Sequence, residues 1–256
     1  MKKYLKPKYI LSLGVFILFL YLMIVNILLT INVFHSVQEI KIEKRMHNQT
    51  IDAYDKYLKI NPFDSRAYML SGDAQLNRRE DYEQAKKDYQ KALFLSPNNK
   101  ELLIRMARAN IMLKDYDSAY FYSDKAVKLF PTEERAYNLR AWINYLKDEN
   151  LEEALKDVNI AIAYWPAPQF IHTRAAIYNR QGKYSAALDD LNAIIKKYPD
   201  SAYAYYEKGC VQIKLKYKKA GLKNIKKALK MERQNKKSAW TEEEAIKMLE
   251  KYNQSY

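Results

Sequence analysis

KDYQKALFLSPNN, residues 87–99, is an amphipathic helix with a stop written into it. Tyr89, Ala92 and Leu93 recur at the spacing of one helical face. Pro97 ends the run, because proline has no N–H to donate and its ring clashes with the preceding turn. Variants of the stretch recur along the chain. TIDAYDKYLKINPFD carries Pro62, FYSDKAVKLFPTE carries Pro131, KDVNIAIAYWPAP carries Pro166 and DDLNAIIKKYPDS carries Pro199. Successive prolines stand 35, 34, 35 and 33 residues apart. A helix stop at that period marks an array of short units, each too small to bury its own apolar face.

Between the stops lies an earlier helix with a small residue at a fixed place: Gly72, Ala107, Ala141, Ala175 and Gly209. A second small residue, Ala85, Ala119, Ala154, Ala187 or Gly221, opens the helix that carries the stop. Seven residues later comes Ala92, Ala126, Ala161, Ile194 or Ala228. Small side chains in register let two antiparallel helices approach closely, so each period is a helix pair, A then B.

These residues make the chain resemble the tetratricopeptide repeat family, whose units place an aromatic and a small residue in helix A, then alanines and a proline in helix B. One unit reads Tyr68, Gly72, Ala85, Tyr89, Ala92, Pro97, and another Tyr137, Ala141, Ala154, Ala161, Pro166. The fifth reads Tyr205, Gly209, Gly221, Ala228, with Arg233 where the proline belongs. The resemblance covers residues 62–233. It implies an all-α fold, a right-handed superhelix of units 63–97, 98–131, 132–166, 167–199 and 200–233. Units one and three carry an extra residue in the A–B turn, in RRED and KDEN. Residues 35–62 read as a membrane-proximal partial repeat, and 234–256 as a capping helix and tail. There Thr241 and Glu244 have capping-box spacing, and Ala245, Met248, Leu249 and Tyr252 share a face.

The N-terminus reads differently. Residues 9–34, YILSLGVFILFLYLMIVNILLTINVF, carry no charge, behind a basic flank at residues 1–8. A bilayer core takes about 20 apolar residues as helix, and the run is too long and lacks the cleavage pattern of a signal peptide. The expectation is an uncleaved single-pass anchor in a cell (inner) membrane, continuing as a helix over about residues 34–47. Lys2, Lys3, Lys6 and Lys8 place the N-terminus inside and the repeats outside the cytoplasm.

Composition narrows the function. The 256 residues include 5 Gly and 7 Pro, which favours long helices over a loop-rich catalytic architecture. One cysteine, Cys210, allows no internal disulfide, and His35, His47 and His172 are too scattered for a metal cluster. No phosphate-cradling glycine loop or nucleophile motif occurs. The reading is therefore no enzyme and no cofactor.

Function then rests on surfaces. The resemblance implies an open groove lined by the A helices. Helical spacing places Met69, Asp73, Ile104, Arg108, Asn138, Trp142, His172, Ala176, Tyr206 and Cys210 along it, as candidate contacts for a protein or peptide. The Lys–Asn pair of the carboxylate-clamp subgroup is missing at these positions. Arg140 and Arg174, just before the small residue, read as structural. The formal net charge is +14. Residues 208–237 hold twelve Lys or Arg against one acid, Glu232, which is +11. Lys219, Lys223, Lys226, Lys227 and Lys230 share one face, a candidate dock for an anionic lipid or an acidic protein, with nucleic acid less favoured. The expectation is a membrane-anchored interaction scaffold. An import or targeting receptor with cytosolic repeats and a non-catalytic regulatory subunit are the alternatives.

Overall fold

The computed structural model describes residue 23 and residues 51–76, 81–235 and 239–252. Every regular element among them is helical. The chain divides into two compact units, residues 1–62 and 63–256.

In the first unit, α1 (Ile51–Ile60) ends two residues before Pro62, as the stop requires, and buries Tyr54 and Leu58. The anchor expected at residues 9–34 lies outside the described residues apart from residue 23, and so does the helix expected at 34–47. Among the described residues no helix is long and apolar enough to cross a membrane. The membrane localisation is corrected accordingly. The physical reason lies in the pattern: each described helix sets a buried apolar face against charged positions. The longest, 18 residues, carries a stripe of lysines.

The second unit alternates A and B helices. The A helices are α2 (Ser65–Ala74), α4 (Lys100–Met112), α6 (Glu134–Lys147), α8 (Pro168–Arg180) and α10 (Ala202–Lys214). The B helices are α3 (Tyr82–Leu95), α5 (Tyr116–Leu129), α7 (Leu151–Tyr164), α9 (Tyr184–Lys197) and α11 (Lys218–Asn235), and α12 (Ala239–Lys251) closes the order. Each A helix packs on its own B helix and each B helix on the next A helix. All fifteen small-residue register positions are buried. Ala85, Ala119, Ala154 and Ala187 are wholly inaccessible, as are Ala92, Ala126, Ala161 and Ala228. There a methyl fills the gap and a larger side chain would hold the helices apart.

Local chemistry sets the helix ends. Asp64, Asp81, Asn99 and Asp115 cap α2, α3, α4 and α5 by accepting the backbone N–H three residues on, at 2.9, 3.0, 3.1 and 3.1 Å. Helices α4, α8 and α10 stop through left-handed residues at Lys114, Gly182 and Lys216, with φ of 59°, 74° and 67°. The extra residue of unit three is absorbed by two left-handed residues, Asp148 and Asn150, at φ 57° and 50°. Where Arg233 replaces the proline, α11 simply continues to Asn235, 18 residues against 14 in the other B helices.

α12 packs on α11 and α10, burying Ala245 and Leu249 completely against Tyr205, Tyr206 and Ile225. It supplies the cover that an open stack end needs. Its start differs from expectation. The helix begins at Ala239, so Thr241 stands in the first turn rather than at the N-cap.

Candidate functional site

Successive A helices touch, α4 with α6 and α6 with α8, while successive B helices share no comparable contact. That asymmetry puts the A helices on the inner side of the stack. The candidate residues divide along this row.

At the first end, Asp73 of α2 accepts hydrogen bonds from Tyr89 Oη at 2.7 Å and Arg105 Nη1 at 2.6 Å. Burial pushes its carboxyl above the ordinary range, against the opposing pull of Tyr89 and Arg105. Arg105 continues to Glu101 at 3.1 Å, and Glu101 to Arg135 at 3.0 Å. An ion-pair chain thus crosses α2, α4 and α6. Met69 packs against the core beside Tyr89. Arg108 is exposed. Ile104 is not an open groove position: it is buried at 3% exposure.

The middle of the row is aromatic. Half-buried Trp142 stacks on Tyr145, ring centroids 4.8 Å apart and 24° between planes. The Arg180 guanidinium of α8 lies 4.8 Å from the Tyr145 ring centre. His172 of α8 meets Tyr203 of α10 at 4.9 Å. Two buried atoms on neighbouring helices, Asn138 Oδ1 and His172 Nδ1, have no hydrogen-bond partner among the described residues.

At the far end Tyr203 hydrogen-bonds Glu207, whose carboxyl is pushed up by burial. Burial, then the Glu207 charge, pushes the Cys210 thiol up to about 12, so it is no thiolate nucleophile near neutral pH. Lys214 Nζ donates to Asn179 Oδ1 at 2.8 Å. Tyr206, expected in the groove, is buried at 6% and belongs to the core shared with α12, its Oη 3.5 Å from Glu244 Oε2. Ala176 is likewise buried at 8%. The reason is common to Ile104, Ala176 and Tyr206: helical spacing selects the face of a helix, whereas the adjoining helices decide how much of that face they cover.

Burial pushes the His172 imidazole down to about 4. Unfolded, it titrates near 6.5. Between these values the unfolded chain binds the extra proton, so stability rises with pH. This contribution is complete above about pH 6.5 and is lost as the pH falls toward 4, roughly 3 kcal/mol in all. His172→Phe is expected to make the loss of stability between pH 6.5 and 4 shallower by about that amount in urea titrations. Equal acid slopes for both proteins would count against it.

Arg140 and Arg174 point away from this row and tie A to B. Arg140 grips Asp157 through Nε and Nη2 at 2.7 and 2.8 Å and reaches Asp124 of α5 at 2.7 Å. Arg174 grips Asp190 at 2.8 and 2.6 Å. Sequence reading missed the carboxylate partners, and also Glu101, Arg105, Arg135, Tyr145 and Tyr203. A signal existed. Complementary charges stand about one period apart, Asp73 to Arg105 by 32 residues and Glu101 to Arg135 by 34.

Profiles of the tetratricopeptide repeat match residues 76–143, 174–201 and 202–235. A human relative, Tetratricopeptide repeat protein 6, is 27% identical over 189 residues, 73% of this chain and 36% of its own length. The chain thus spans about a third of that relative. Among solved structures, a thermophilic repeat protein from Thermus thermophilus matches at TM-score 0.63 and 19% identity, over 73% of this chain and 99% of the other. Yeast Tom70 matches at TM-score 0.60 and 20% identity, over 80% of this chain and 44% of the other. YrrB, a repeat protein described with an unusual peptide-binding site, matches at TM-score 0.52 and 18% identity, over 77% and 100%. At these identities the structural likeness concerns the fold.

Proposed function

Since this chain belongs to the tetratricopeptide repeat family, whose members are protein–protein interaction scaffolds, we propose that it holds an extended segment of another protein against α6, α8 and α10. The supporting observation is the pair of partnerless atoms, Asn138 Oδ1 and His172 Nδ1, on adjacent inner helices. A polar atom kept from water without a partner costs about 1–3 kcal/mol. Both side chains are half-buried, and their terminal torsions are soft, so each can turn its orphan atom outward with no hydrogen bond to give up. An extended backbone offers N–H and C=O groups about every 3.3 Å and can satisfy either atom. The Trp142–Tyr145–Arg180 stack beside them supplies flat, amphipathic area of the kind that anchors interfaces.

The test is affinity capture with the full chain, followed by identification and direct titration of the recovered partner. Asn138→Ala combined with His172→Ala is expected to weaken that partner at least about tenfold, or 1.4 kcal/mol. Phe121→Ala, on the exposed side of α5, is expected to leave it unchanged. Equal binding by the inner-row variant and the parent would refute this surface.

A further inference from the structure

Some cations elsewhere in the second unit pair with carboxylates, among them Lys86 with Asp115, Lys128 with Asp124, Lys147 with Asp117 and Lys183 with Glu152. Of the α11 cations, only Arg233 reaches a carboxylate among the described residues, Glu242 at 3.0 Å. Lys219, Lys223 and Lys230 are exposed and Lys226 is half-buried, with no acid in ion-pair range of any of them among the described residues. They recur at i, i+4, i+7 and i+11, one stripe about 16 Å long at 1.5 Å per residue. Like charges at that spacing repel, which a protein bears without return unless something covers them. Two flanking lysines are held in place by rings: Lys227 lies 3.9 Å from the Tyr205 centroid and Lys218 4.7 Å from that of Tyr252. An open, mostly apolar groove runs along these lysines, with Ala220 and Leu222 on its opposite flanks.

We propose that this lysine-framed groove on α11 docks an acidic amphipathic helix of a partner protein, a second surface independent of the inner row. The occupant follows from the complement. Glu or Asp at i and i+4 would meet the lysine stripe, and apolar residues beside them would lie against Ala220 or Leu222 on its flanks. A nucleic-acid backbone supplies the charge but nothing for the apolar flanks, and the stripe has no Arg for base or phosphate forks. A bilayer surface calls for bulky side chains that project into it, whereas Leu222 is 7% exposed and flush with the groove. Single exposed ion pairs contribute little, so affinity is modest, fast in onset and sensitive to salt.

The experiment uses the full chain and a fluorescent 20-residue helix built of Glu and Leu at that spacing, read by anisotropy. Binding is expected to weaken at least tenfold in the Lys219→Glu, Lys223→Glu double variant. It is expected to be unaffected by Asn138→Ala with His172→Ala, so failure here and failure of the inner-row reading are told apart. Both lysines are exposed, and circular dichroism verifies that the double variant keeps its helices. Three results would each overturn the proposal. They are equal binding of a scrambled peptide of the same composition, tighter binding of a single-stranded RNA 20-mer or of phosphatidylserine vesicles, and an unchanged double variant.

Discussion

Gly221→Ala is expected to lower the free energy of unfolding by about 2 kcal/mol, although helix propensity alone predicts a gain of about 1 kcal/mol for glycine to alanine inside a helix. The sign is set by the neighbour. A methyl on Gly221 would stand 2.6 Å from the Gly209 carbonyl oxygen, 2.6 Å from Ile213 Cγ1 and 3.2 Å from the Ile213 backbone nitrogen. The view from Gly209 is reciprocal, 2.7 Å to the Gly221 oxygen and 2.6 Å to Ile225 Cγ1. Backbone cannot rotate aside, so α10 and α11 must part, losing dispersion across the packed face of Tyr205, Leu222 and Ile225. Overpacking of this kind costs about 1–3 kcal/mol, and here it strains a backbone contact. Gly209→Ala is expected to behave alike, and the double variant to cost less than the sum, because the gap opens once. Gly182→Ala is the control. Its φ is 74° with nothing within 4 Å of an added Cβ, so it isolates the left-handed penalty of about 1–2 kcal/mol. Urea denaturation followed by circular dichroism reads all four. A stabilised Gly221→Ala would show that α10 and α11 do not pack this closely.

That result would bear on what the sequence conveys. The small-residue register was legible because its cause is local and repeated. A helix pair needs a small side chain at the crossing point, and five copies of the requirement line up. The proline stops were legible for the same reason, and Arg233 marks where the stop is absent and α11 runs on. Coverage of a face was not legible. Ile104 and Tyr206 occupy positions equivalent to Asn138 and His172, yet they are buried while the other two stay half-open. How far the adjoining helices cover Ile104, or α12 covers Tyr206, depends on residues outside the repeat itself. Charge pairing was hidden similarly. Asp157 and Asp190 look like ordinary polar positions of B helices until Arg140 and Arg174 are brought across from the A helices. Helical spacing places Trp142 along the groove, and the structure half-buries it against Tyr145, three residues on along α6.

Arg140→Ala is expected to be the most damaging charge deletion, costing about 2–4 kcal/mol, because it orphans a carboxylate rather than merely losing a contact. Asp157 is 6% exposed, and Arg140 meets it with two hydrogen bonds. Breaking a buried pair from one side costs about 3–5 kcal/mol. The Arg140 side chain is 19% exposed, which admits some water and lowers that figure. The arginine also reaches Asp124, but Lys128 holds Asp124 at 2.7 Å and remains after the substitution. Asp157 keeps no such substitute. Arg174→Ala should cost somewhat less. Its partner Asp190 is held in the same way, but its third contact is the neutral Asn159, not a second carboxylate. Both reach back to the preceding repeat, Arg174 to Asn159 of α7. Arg140 joins α5 of one repeat to α6 and α7 of the next, so it contributes to the interface term that makes a stacked array unfold as a unit. Arg140→Ala is therefore expected to lower the denaturant slope as well as the midpoint, as the repeats on either side begin to unfold separately. Arg140→Met with Asp157→Leu distinguishes an orphaned charge from a packing defect. Replacing both partners with apolar residues of similar volume is commonly near neutral. The double variant should therefore recover most of the loss that Arg140→Ala causes. A double variant as unstable as Arg140→Ala would mean that shape, not the buried carboxylate, carries the cost, and a single-variant loss under about 1 kcal/mol would mean that water reaches Asp157 freely.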